Sequence, residues 1–354
     1  MARRPPIVGR FTAEELALAA RNRGMPLEAL RYDVTPTGLH YLLSHFDIPH
    51  VDERTWRLTV YGQVAKPFEI NLAQLKEMPA HTLRVTMECA GNGRGQLSPR
   101  YPSVPWQEEG VSTAQWTGVR LAQLLERAAL KAEAKEIVFR GADRGIQGGE
   151  VHEFARSLSA AEAMREEILL AYAMNGAPLP PQHGAPLRLV VPRWYGMASV
   201  KWLASIEAAE RPFDGYQQAR SYHFLKKAGE PGEPCTRMRV NSLMIPPGIR
   251  EFYTAGRTVP AGQVRIEGRA WSGHGAIARV EFAVDGHWDD AQVVSSDDGS
   301  WQSWQAKWDA TPGEHELACR ATDVAGNRQP LEPPWDLSGF GNNGVQRIHV
   351  TVTG

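Results

Sequence analysis

The chain has 354 residues, 42% hydrophobic and 22% charged, with 39 Lys and Arg against 40 Asp and Glu. This is the make-up of a globular protein of about two domains, and a net charge of −1 lacks the basic face of a nucleic-acid binder or a polybasic membrane anchor. No stretch approaches the about 20 consecutive apolar residues of a membrane-spanning helix, and three cysteines without a CxxC spacing argue against a disulfide framework and a zinc site.

Arg3 and Arg4 are followed by Pro5, Pro6 and the charged FTAEEL instead of an apolar segment. No export signal is read there, so a reducing cytoplasmic setting is expected, or a periplasmic one if a signal was removed. Thr12 and Glu15 form a capping box ahead of LALAARN, with Gly24 as the stop. Trp56–Tyr61 alternates as a strand, Asn71 caps a short helix LAQLKEM, and Leu83–Met87 is a strand that delivers Glu88 and Cys89 at its end. Residues 118–130 carry helical apolar spacing, residues 136–140 a strand, Ser159 and Glu162 a second capping box, and residues 187–191 a buried strand closed by Pro192. Strands and short helices in this order predict an α+β domain over 36–225, preceded by a helical extension over 1–35. Lys226–Pro234, KKAGEPGEP, is a charged Gly/Pro linker. Beyond it, over 235–354, residues 264–270, 277–285, 314–322 and 346–352 alternate, and Asp285-Gly286 signals a hairpin. About seven short strands in this length predict an immunoglobulin-like sandwich.

Cys89 stands in VTMECAGNGR. A free cysteine is most often a buried structural residue. Three neighbours point elsewhere: Gly91, Asn92 and Gly93 make a turn without bulky side chains, letting backbone approach a bound group. Arg94 supplies permanent positive charge, which favours thiolate. A soft thiolate at a strand end suits a metal or redox cofactor; nucleophilic catalysis is the alternative, though no Cys/His protease pattern accompanies it.

MECAGNGR, followed by GVSTAQWTGVRL, resembles the molybdenum-cofactor domain of the sulfite oxidase family, and LLAYAMNGAPLPPQHGAPLRLVVP and VKWL match further signatures of it. GRAWSG and WDLSGFGNN resemble that family's dimerisation domain. The resemblance implies that Cys89 is the protein's thiolate ligand to molybdenum in a molybdopterin cofactor; no CxxCH and no added N-terminal module are read, so no haem is expected. It implies that His45, His183, Arg188 and Lys201 hold the pterin and its phosphate, with Asp143 a further cofactor candidate. A guanidinium, an ammonium and imidazoles suit that task chemically. Tyr222 matches the active-site tyrosine, whose phenol can donate to oxygen. Taken singly, each of these residues has an ordinary packing or surface reading.

The substrate pocket departs from the family. Arg94 is kept, but the arginine expected before Ser44-His45 is Leu43, and the one expected after the second domain's WSG is absent, with His274 near that spot. Each lost charge-assisted contact, about 1.5–3 kcal/mol, weakens an anion site tenfold or more. Protonated His274 and Arg193, taken to point into the pocket, are the expected compensations, and Trp106 a pocket wall. The expected activity is oxygen-atom transfer, sulfite to sulfate, with electrons passed to an external acceptor such as a cytochrome and the second domain pairing two subunits. Another small substrate (nitrate, a sulfoxide or another sulfur compound) and a non-catalytic scaffold that keeps the fold stay open.

Overall fold

The computed structural model describes residues 11–354 apart from 255 and 296; the Arg3, Arg4, Pro5 and Pro6 reading lies outside the described residues. The chain packs as two units, neither continuous in sequence. One holds Leu42–Ala90 and Ala114–Thr236; the other holds the N-terminal residues through Tyr41, Gly91–Thr113 and Arg237–Gly354. The sequence divides the chain at the 226–234 stretch, whereas packing also assigns the turn after Cys89 to the C-terminal unit. The 226–234 stretch closes a short antiparallel pair, His223–Phe224 with Glu233–Pro234.

The first unit is built on two sheets. One runs Phe68–Ile70, Leu58–Gly62, Leu203–Ala209, Glu136–Gln147 and Glu150–Ser159 in spatial order, with Leu58–Gly62 and Leu203–Ala209 parallel and the other neighbours antiparallel. The other runs His81–Glu88, Val111–Arg120, Leu169–Met174 and Ala177–Pro178, with Arg188–Val190 also on Leu169–Met174. Fully buried Leu58, Phe139, Ile206, Leu170 and Leu189 fill the faces, each removing apolar surface from water. This is the mixed α+β architecture the sequence predicts.

Local signals act as their chemistry requires, with instructive exceptions. Thr12 and Glu15 cap Ala13–Arg21 reciprocally, but the helix ends at Arg21, with Asn22 extended and its amide on the Leu18 carbonyl, before Gly24 is reached. Asn71 and Gln74 likewise box Leu72–Lys76. Ser159 accepts from the Glu162 amide, but the Glu162 carboxylate is held by Arg165 and Trp194, so that box is half formed. The expected helix over 118–130 starts only at Leu121, because Val111–Arg120 is a ten-residue strand; Val119, Leu121 and Leu125 suit either period. Glu136–Gln147 and Glu150–Ser159 form a long hairpin whose two-residue loop, Gly148-Gly149, has both φ positive, the geometry of a tight primed turn.

The 237–354 part of the C-terminal unit is an all-β sandwich. Nine described strands form one path, with Asn241–Met244, Gly262–Trp271, Gln302–Ala310 and His287–Val293 on one side of a hairpin and Ile277–Val284, Gly313–Asp323, Gln346–Thr353, Arg257–Pro260 and Ile249–Arg250 on the other. Asp285 and Gly286 make that hairpin, with φ of 50° and 82° and Val284 opposite His287. The strands beyond the seven expected are short ones such as Ile249–Arg250 and Arg257–Pro260, too brief to show an alternation. Met244, Ile266, Val280, Trp304, Leu317 and Val350 form the core. Cys319 lies in it, its thiol pushed up to about 12 by burial, a packing cysteine.

Candidate active site

Cys89 directly follows the strand His81–Glu88, whose last four residues are buried, and is itself 7% exposed. Two residues earlier, the Met87 sulfur receives an Arg188 Nη2–H at 3.6 Å. Arg188, at the start of Arg188–Val190, is also buried. Its guanidinium donates to the carbonyls of His183 (3.0 Å) and Ser199 (3.1 Å) and lies 4.6 Å from the Trp116 ring centroid. Arg188 therefore fastens the turn Pro181–His183 to the strand that carries Cys89, and His183 is buried at the end of that turn.

Lys201 makes the complementary connection. Its ammonium donates to the Leu43 carbonyl (2.9 Å), the Ser44 hydroxyl (3.0 Å) and the Gln182 carbonyl (3.1 Å), three acceptors for three N–H groups. It ties the segment before His45 to the turn before His183, so its charge serves a bound phosphate at close range only by releasing one of these bonds. Next to it stands Asp143, 4% exposed, whose Oδ1 is buried without a hydrogen-bond partner. Burial pushes its carboxyl up to about 6, against the lowering effect of the Lys201 charge. Gly141 makes this possible: a Cβ there would stand 2.5 Å from Asp143 Oδ1 and 2.7 Å from the Lys201 carbonyl.

The Tyr222 hydroxyl and His45 Nε2 share a short hydrogen bond. Tyr222 is buried with a left-handed backbone, φ 54°, uncommon for a bulky residue and a mark of local constraint. The His45 ring packs against Phe154, tilted by 37° with centroids 4.8 Å apart. Arg193 is half-buried, also at positive φ (69°), and so is not turned wholly to solvent. His45, Cys89, Asp143, His183, Arg188, Lys201 and Tyr222 thus belong to one unit, and four of them are joined in two direct pairs, Arg188 with the His183 carbonyl and Tyr222 with His45.

Arg94, Trp106 and His274 belong to the other unit. Arg94 is buried there; it donates to the carbonyls of Ser338 (3.2 Å) and Val104 (3.3 Å) and lies 5.2 Å from the Phe340 ring centroid. A Cβ at Gly91 would be 2.5 Å from its Nη2, which is why the turn needs glycine at that point. Asn342 donates to the Gly93 carbonyl at 2.7 Å, and Asn92 Oδ1 accepts from the Gly110 amide at 2.9 Å. WDLSGFGNN is therefore a clamp on the AGNGR turn. Trp106 is buried with its indole N–H unpartnered. His274 is exposed, its amide donating to the Ser272 hydroxyl.

Sequence reasoning missed Arg156 and Phe154, both buried on Glu150–Ser159. VHEFARSLS does not alternate, and residues 154–158 are all buried; the only local guide is the two-residue spacing that puts positions 154 and 156 on one face of a strand.

Two family models match: "Oxidoreductase molybdopterin binding domain" over residues 45–217 and "Mo-co oxidoreductase dimerisation domain" over residues 233–353. Sulfite oxidase of Gallus gallus is 31% identical over 334 residues, covering 86% of this chain and 70% of that protein. The chain belongs to the sulfite oxidase family, and is an oxidoreductase of the molybdopterin-dependent class. Mitochondrial sulfite oxidase of Rattus norvegicus is 32% identical over 346 residues, covering 90% of this chain and 62% of the relative, so the chain spans under two thirds of that protein's length. Nitrate reductase [NADH] 1 of Oryza sativa subsp. japonica is 30% identical over 351 residues, covering 90% of this chain and 38% of the relative. Among solved structures, the sulfane dehydrogenase SoxCD of Paracoccus pantotrophus aligns with TM-score 0.80 and 26% identity, over 94% of this chain and 86% of that one.

The residues fit the family's cofactor. Among the described residues no group of three or more His, Cys, Asp or Glu side chains could hold a metal ion. The orphaned Oδ1 of Asp143 is an acceptor that suits the N–H edge of a fused pterin, and buried polar atoms are costly unless paired.

Proposed function

We propose that the chain is a molybdenum-cofactor enzyme acting on a small sulfur oxyanion, sulfite first among them, with an external one-electron acceptor such as a cytochrome. The observation that carries this reading is the buried, orphaned acceptor of Asp143 beside Lys201, in the same unit as Cys89 and the Arg188–His183 link. Cys89 is the protein's ligand to the metal; Asp143, His183 and Arg188 hold the pterin, and Lys201 keeps the His45 and His183 segments together for it. When bound, the cofactor supplies two-electron oxygen-atom transfer. Tyr222 is fixed by His45: with His45 Nε2–H donating to the phenol oxygen, the single phenol O–H is free to donate to a substrate oxygen. Arg94 supplies charge for the anion, with Trp106, Arg193 and His274 as further pocket residues. The 233–353 region pairs two copies of the chain. Among the described residues no helix is long and apolar enough to cross a membrane.

A second reading, oxidation of a sulfane-type sulfur compound, has its own support: Leu43 replaces a pocket cation, and the SoxCD structure matches this chain over most of its length.

The test is elemental analysis with steady-state kinetics on the full chain, produced in a host that makes the cofactor. About one molybdenum per chain and turnover of sulfite with a generic electron acceptor are expected. Turnover of a sulfane substrate or nitrate in place of sulfite would move the substrate assignment. A molybdenum-free protein from such a host would overturn the reading in favour of a scaffold.

A further inference from the structure

The strand Glu150–Ser159 carries a buried cation that none of the roles above uses. Arg156 is 3% exposed, and among the described residues no carboxylate pairs with it. Its Nη1 donates to the Gln217 carbonyl, while its Nε is buried without a partner. The guanidinium carbon lies 5.6 Å from the centroid of the Tyr222 ring. Two residues back on the same face, the Phe154 ring packs at a tilt against His45, which is bonded to the Tyr222 hydroxyl. One strand therefore supports both halves of the Tyr222–His45 pair, the imidazole through an aromatic ring and the phenol through a charge.

A buried guanidinium without an anion is costly. Burial pushes Arg156 down to about 10, and the acidic groups that act against this are Tyr222 and Cys235. Neither is a carboxylate, so the charge is left to act on whatever anion arrives near the phenol. The same unit lacks a cation at position 43, where Leu43 is half-buried.

We propose that Arg156 is a specificity-determining residue that supplies, against the face of Tyr222, the positive charge that draws an oxyanion to the phenol, doing the work of an arginine at position 43. This rests on the oxyanion reading above. Arg156 acts through Tyr222 and the local field, as a positioning residue, and takes no part in bond making.

The experiment uses the molybdenum-loaded full chain, with Arg156→Gln, which keeps a donor for the Gln217 carbonyl, and Arg156→Lys, which keeps the charge. Sulfate binding is measured by titration calorimetry, and KM and kcat with sulfite. Arg156→Gln should weaken sulfate binding and raise KM by about tenfold or more, the loss of one unit charge acting across a low-dielectric interior, with kcat falling much less. Arg156→Lys, which keeps the unit charge but not the planar fork, should lose clearly less sulfate affinity than Arg156→Gln. If Arg156→Gln does not fold, the lysine variant decides alone: retained sulfate affinity supports the proposal, and a tenfold loss with molybdenum content intact makes Arg156 a packing residue and overturns it. A glutamine variant that binds sulfate like the wild type also overturns it, while sulfite turnover by the wild type leaves the oxyanion reading standing. A loaded wild type that neither binds sulfate nor oxidises sulfite sinks the oxyanion reading itself, and this proposal with it.

Discussion

Asp143 should make the cofactor-free protein less stable as pH rises through the mildly acidic range. Its carboxyl moves from an ordinary 3.8 to about 6 in the fold, so it holds its proton more tightly folded than unfolded. Below about pH 4 both states are protonated and no penalty exists. Between about pH 4 and 6 the unfolded chain ionises first and stability is lost, and above about pH 6 the loss is complete. A rise of about two units at 1.36 kcal/mol each gives about 3 kcal/mol. The assay is urea unfolding of cofactor-free wild type and Asp143→Asn at half-unit steps from pH 4 to 8. The difference between the two stabilities should change by about 3 kcal/mol across that window, with the asparagine variant gaining as pH rises. A flat difference would refute the claim that Oδ1 is an uncompensated buried acceptor. In the loaded enzyme the pterin N–H groups would pair with the ionised carboxylate, and the difference should shrink.

Cys89→Ser should fold with a melting temperature near that of the wild type and carry little or no molybdenum, as metal analysis of the purified variant would show. Tyr222→Phe should keep its molybdenum and lose turnover by about 10²-fold or more, as for a group that handles a proton; unchanged kcat would remove the phenol from the chemistry. Gly268→Ala would set a Cβ 2.3 Å from the Leu243 carbonyl and 2.4 Å from the Trp304 ring, and overpacking of this kind costs about 1–3 kcal/mol, readable as a lower urea midpoint.

Much of the fold was legible because it rests on short-range chemistry. Thr12 with Glu15, Asn71 with Gln74 and Asp285-Gly286 each act on residues within four positions, and the structure uses all three. The half-formed box at Ser159 shows the limit, since Arg165 and Trp194 compete for Glu162 from outside the local pattern. Residues 118–120 read as helix because their apolar spacing fits two periods, and only pairing with Leu169–Met174 decides for strand. In the site, Cys89 announced itself through its glycine turn. Arg156 did not, because a single arginine in a strand looks like a solvated edge charge until packing buries it. The link from Lys201 to Leu43 and Ser44 spans about 160 positions of chain, and no local rule anticipates it.

The clamp on the turn after Cys89 bears on how such a protein can be cut and recombined. Asn342 and Ser338 hold Gly93 and Arg94 across some 250 positions of sequence. A gene truncated at the stretch after residue 225 would encode the whole first family match yet deprive that turn of its two backbone anchors. The C-terminal sandwich is accordingly not a detachable appendage: grafting a foreign sandwich onto this catalytic segment would succeed only if it brought the same asparagine and the same carbonyl to the same place.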